Sequence, residues 1–191
     1  MATTTNTLDV TLMLERQHQQ VKDLFTRIGD GTTPTASDAF CELRRMLAVH
    51  ETAEEMVVYP ALRKTGDEGE RIAKERLAEE DKAKTVLHEL ESVALSDPAF
   101  ATKIADFKRA VVAHAEAEER EVFPRIRQSA SPETLVTMGR ALLKAEEGAP
   151  THPHPHAPQS AVGNLVGGPF LAMVDKVRDV LRGEHSTTKP V

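Results

Sequence analysis

Two stretches of this chain pair an imidazole with a carboxylate at one spacing. His50-Glu51-Thr52-Ala53-Glu54-Glu55 runs on to Tyr59-Pro60, and His114-Ala115-Glu116-Ala117-Glu118-Glu119 runs on to Phe123-Pro124. In each, His and Glu stand at i and i+4, which on a helix puts both on one face, a turn apart. Taken singly, such a pair is usually a solvated ion pair. Presented twice, from two helices, imidazole and carboxylate are the donor types that hold a pair of iron ions inside a bundle.

Apolar periodicity supplies the elements that must position these residues. A first helix is expected from about Asp9 to Ile28, with Val21, Leu24, Phe25 and Ile28 on its stripe and Gly29-Asp30-Gly31 stopping it. A second runs from near Ser37 to about Tyr59, where Pro60 ends or kinks it by lacking an amide donor. A third spans about Glu70 to Ala94. Ser96-Asp97-Pro98 then opens a fourth that reaches Phe123 or slightly beyond. A shorter fifth is expected from about Pro132 to Glu146.

The two halves align as an internal duplication, residues 8–64 against 71–127. Val21, Leu24, Phe25 and Ile28 follow His18 at the same offsets at which Ala83, Val86, Leu87 and Leu90 follow Glu80. Glu80 therefore occupies the place of His18. Asp81, one residue on, points about 100° away and is the fallback. The candidate ligands are thus His18, His50, Glu54, Glu80, His114 and Glu118. Four long helices with short connections imply an all-α, antiparallel four-helix bundle with extra C-terminal helices.

Composition excludes several classes. The net charge of −6 argues against a nucleic-acid partner. The single cysteine, Cys41, excludes a disulfide framework and suggests a reducing, cytoplasmic setting; it reads as a small packed residue. The N-terminal residues lack the basic flank and apolar run of a signal peptide, and no stretch has the roughly 20 apolar residues that span a bilayer. With aromatics at 4% and no Trp, the core must be aliphatic.

The arrangement of a lone His on the first helix, His-x-x-x-Glu on the second, a ligand on the third and His-x-x-x-Glu on the fourth resembles the hemerythrin-like (HHE cation-binding) family. The resemblance covers about residues 8–127. It implies a four-helix bundle around two non-haem iron ions, oxo- and carboxylate-bridged, reacting with a small oxidant: hydrogen peroxide, O2 or NO. By position it assigns ligand roles to His18, His50, Glu54, His114 and Glu118, with the two Glu residues as bridges. The chain departs from the family at the third helix. The family expects His where Glu80 stands, and oxygen carriers have another His one turn earlier, where this chain has Arg76. One iron would then see His18, His50 and Glu54, and the other Glu80, His114 and Glu118. Carboxylates favour the ferric state, so the set suits turnover better than reversible O2 carriage. The leading expectation is a catalase-like oxidoreductase acting in oxidative stress. Two other classes remain open: a protein that senses O2, NO, redox state or iron without turnover, and a metal-free helical interaction protein. Manganese would also suit the donors.

The remaining residues read more plainly. Tyr59 is either a hydrogen-bond donor or redox neighbour of the centre or a core aromatic. His88 lies two turns beyond Glu80, too far for the same ions. Residues 1–147 form the bundle with its fifth helix, 148–168 a Pro/His-rich linker carrying His152, His154 and His156, and 169–191 an amphipathic helix with a bare tail. That last helix is expected to fold back on the body, with no membrane partner.

Overall fold

The computed structural model describes residues 7–149 and position 181. Residues 150–168 of the proposed linker, its three histidines among them, and all of the last expected helix except Leu181 lie outside the described residues. Within them the chain is helical, with no strand.

Helix α1 (Val10–Ile28) starts on Asp9, whose carboxylate accepts from the Thr11 and Leu12 amides at 2.9 and 3.4 Å. It stops at Gly29, whose φ of 58° a side chain would resist. Helix α2 (Ala36–Ala53) returns antiparallel. It passes through a π turn (Glu54–Val58) into α3 (Tyr59–Arg63). Helix α4 (Asp67–Glu91) and α5 (Pro98–Ala117) form the second hairpin. A second π turn (Glu118–Val122) leads into α6 (Phe123–Ser129). Helix α7 (Pro132–Gly148) packs on α1, α2 and the first π turn.

Pro60 does not end its helix. A proline cannot donate to the carbonyl four residues back and crowds it. The wider π turn absorbs this conflict, with the Tyr59 amide reaching back to the Glu54 carbonyl and, in the other half, Phe123 to Glu118. Each π turn begins on the Glu of a His-x-x-x-Glu pair.

Two apolar clusters fill the bundle. Val10, Leu14, Leu62, Ile72, Phe123 and Leu142 belong to one; Val21, Phe25, Phe40, Leu90, Phe100 and Phe107 belong to the other. Along α1, His18 falls between Leu14 of the first and Val21 of the second, and along α4 Glu80 falls between Leu77 and Leu87. The expected ligands therefore form a polar belt at mid-height, with oil on either side. The expected packing of Cys41 is corrected: its place on α2 faces solvent. His88 is exposed and pairs with Glu91.

Candidate metal centre

Helices α1, α2, α4 and α5 each bring one or two donors to the belt. His18, His50, Glu54 and Glu118 form one group of four, with ligand atoms all within 4.8 Å of one another. Glu54, Glu80, His114 and Glu118 form a second group on the same criterion. Glu54 and Glu118 belong to both. The structure thus gathers all six sequence candidates, and it is Glu80, not the fallback Asp81, that joins them. His18, His50, Glu54, Glu80 and Glu118 are buried, and His114 is half-buried.

The imidazoles are aimed by hydrogen bonds on their far side. His18 Nδ1 lies 2.9 Å from Glu119 Oε1, and His114 Nδ1 lies 2.8 Å from Glu79 Oε2. A carboxylate only accepts, so each Nδ1 carries the proton and each Nε2 keeps its lone pair. His50 Nδ1 lies 2.8 Å from Gln17 Oε1. The Gln17 amide nitrogen donates to Glu146 on α7 at 2.6 Å, which turns its oxygen toward His50 and selects the same tautomer. The Phe123 ring stacks on His18 at 5.6 Å, and the His18 and His50 rings meet edge to face at 5.2 Å.

Three residues outside the candidate set do this aiming. Gln17 and Glu79 each stand immediately before a ligand position, at equivalent places in the duplicated halves. Glu119 is the second Glu of its motif. Their sequence signal was the repeat itself. Where the halves differ, so does the wiring. Glu80 has no N–H to offer Glu55, the counterpart of Glu119. Instead Lys84 Nζ bonds Glu55 at 2.7 Å and lies 3.9 Å from Glu80 and 3.7 Å from Glu51. A lysine thus balances the carboxylate that replaces an imidazole.

The electrostatics follow from burial and neighbours. Burial, joined by the His18 charge, pushes His50 down to about 3, so it is a neutral ligand at pH 7. Burial and then the neighbouring carboxylates push Glu54 well up; for Glu80 burial leads, and Glu51 adds to it. Burial also opposes ionisation of Glu118, but the histidines win, His114 foremost, and bring it down to about 2. Tyr59 is buried with its hydroxyl against Glu80 Oε1 and 2.8 Å from Glu118 Oε1. A phenol has one proton to give. It is the donor to both carboxyls, its proton lying between Glu80 Oε1 and Glu118 Oε1.

Six polar atoms in this belt are buried with no hydrogen-bond partner: His18 Nε2, both carboxylate oxygens of Glu54, Glu80 Oε2, His114 Nε2 and Glu118 Oε2. Each such atom costs about 1–3 kcal/mol. All six belong to the two groups of four. Cations answer all of them at once, and mixed nitrogen and oxygen donors suit iron or a similar ion.

Comparison with known proteins agrees. The sequence model of the hemerythrin HHE cation binding domain matches residues 9–126. An uncharacterised hemerythrin-like protein of Schizosaccharomyces pombe is 30% identical over 136 residues, 71% of this chain and 67% of that protein. A DNA nickase of Nostoc sp. is 28% identical over 122 residues, 63% of this chain but only 34% of that protein. No solved structure matches. Among the described residues no helix is long and apolar enough to cross a membrane.

Proposed function

This chain belongs to the hemerythrin HHE cation-binding family, and from that premise we propose that its metal centre is a non-haem di-iron site that decomposes hydrogen peroxide. The observation that carries the reading is the sharing of Glu54 and Glu118 between two four-donor groups. His18 and His50 would complete one iron's set, and Glu80 and His114 the other's. Two such ions supply a reversible two-electron couple. One peroxide is oxidised to dioxygen with loss of two protons and two electrons, and a second takes them up to become two waters.

The chain's own groups are suited to the proton side of that exchange. Hydrogen bonds from Nδ1 of the three imidazoles to Gln17, Glu79 and Glu119 leave Nε2 as the ligating nitrogen and stop the rings from turning. Tyr59 holds a proton against the centre, donated toward Glu80 and Glu118. Glu51, pushed up to about 7 by burial against the pull of Lys84, opens on the adjoining cavity and exchanges its proton near neutral pH. A carboxylate-rich donor set favours the oxidised state and so supports turnover over O2 carriage.

The test is dioxygen evolution from peroxide by iron-loaded protein, with metal content measured on the same sample. The reading expects about two irons per chain and activity above that of equal free iron, lost in Glu118→Ala. Activity equal to free iron, or surviving in Glu118→Ala, sinks it. A stable O2 or NO adduct without turnover would favour the sensing alternative.

A further inference from the structure

A cavity of about 570 Å³ adjoins the centre, reaching His18, His50, Glu80 and His114. A peroxide needs on the order of two waters' volume, roughly 60 Å³. The cavity is instead in the size range of sites for small organic molecules, about 300–1,000 Å³. Its wall is chiefly aliphatic: Val21, Leu47, Ala83, Val86 and Val111, with Phe107.

One buried cationic side chain in that wall is only partly satisfied. Arg76 is 6% exposed, yet only its Nη2 is held, by Glu79 at 2.8 Å. Its Nε and Nη1 are buried without a hydrogen-bond partner. A buried guanidinium with unused donors calls for an anion. Nearer the surface, Lys22, Lys82 and Arg120 outnumber Asp106. Glu51, Glu79 and Glu80 line the same space and repel each added negative charge, so a singly charged carboxylate is favoured there over a doubly charged phosphate.

We infer that this cavity is a binding site for an amphipathic monocarboxylate, a straight-chain fatty acid of medium length, whose head group is taken by Arg76 and whose chain lies along the aliphatic wall. The inference rests on the metal-centre reading for what the ligand lies beside. Its binding needs only the cavity and Arg76.

The experiment titrates decanoate into the full-length, metal-loaded protein by calorimetry, beside hexanoate, octanoate and decanol. Saturable binding that tightens about fourfold per added methylene is expected from hexanoate to decanoate. Decanol should bind at least about tenfold more weakly than decanoate, and Arg76→Gln should lose at least about tenfold for decanoate alone. Ala110→Trp places a large ring at an exposed position of the cavity wall without touching the core, and should weaken every chain length. It keeps the test decisive if Arg76→Gln does not fold, as circular dichroism would show. Absent saturation, equal affinity for decanol and decanoate, or full affinity in either folded variant overturns the inference. Metal content is read on each sample. Protein that holds metal but not decanoate overturns this inference alone; protein that binds decanoate but holds no metal overturns the metal reading alone.

Discussion

Removing one oxygen atom from Tyr59 isolates what the buried network contributes. In the duplicated half the same position is already a phenylalanine, Phe123, fully buried and stacked on His18. Tyr59→Phe therefore keeps an aromatic shape the fold accepts and deletes only the hydroxyl. Two contacts go, those to Glu80 and Glu118. Glu118 is the ionised partner, so the bond it loses is of the charge-assisted kind, about 1.5–3 kcal/mol. Glu80 Oε2 already lacks a partner; with the hydroxyl gone, Oε1 joins it. The metal-free protein, prepared by chelation, should thus lose roughly 2–3 kcal/mol. For a chain of this size that lowers the melting temperature by roughly 5–10 °C. Thermal and urea unfolding followed by circular dichroism read this directly. Metal titration of the same variant should show about ten- to a hundredfold weaker affinity, because both carboxylates lose an orienting partner. If metal-free wild type and variant melt within about 1 °C of each other, the hydroxyl does not hold the two carboxyls and the network argument fails.

Other perturbations test the same geometry. Glu118→Ala removes a donor common to both groups and should take metal content from about two ions toward none, whereas Glu80→Ala, absent from the first group, should leave about one; elemental analysis separates them. Gln17→Leu frees the His50 ring, and Glu146→Ala removes the group that sets the Gln17 amide, so each should weaken metal affinity by roughly tenfold or more without unfolding the bundle, by competition with a chelator. Glu51 titrates at about 7 when folded and near 4.5 when unfolded, so the folded chain keeps a proton that the unfolded chain has lost. Its contribution to metal-free stability is therefore greatest below pH 4.5 and disappears as pH rises to 7; Glu51→Gln should gain on wild type by on the order of 3 kcal/mol across that window, and a constant difference between the two would refute it.

Much of this molecule was legible before folding was considered. Helix limits followed from stripe, cap and stop: Asp9 and Gly29 bound α1, and Asp97-Pro98 opens α5. The donor set was readable because the halves repeat. The offset of the apolar stripe from His18 chose Glu80 over Asp81, since one residue on a helix is about 100° of rotation. The repeat also carried, unread, the orienting roles of Gln17 and Glu79. Proline was half legible: chain chemistry says that Pro60 ends or kinks an α-helix, and it is silent on the π turn that lets the helix resume at Tyr59. Cys41 misled: small and apolar residues are usually buried, and only its azimuth on α2 put it in solvent.

By itself the sequence determined which residue types exist, at what period, and so which face of each helix carries imidazole, carboxylate or oil. That is local information, set by 3.6 residues per turn. Only the tertiary structure decided the pairings across helices: Glu119 on His18, Glu79 on His114, and Glu146 through Gln17 on His50. It alone placed Lys84 between Glu55 and Glu80, and set Glu54 and Glu118 among the donors of both groups. Those contacts depend on the relative depth and rotation of packed helices, which no periodicity within one helix contains.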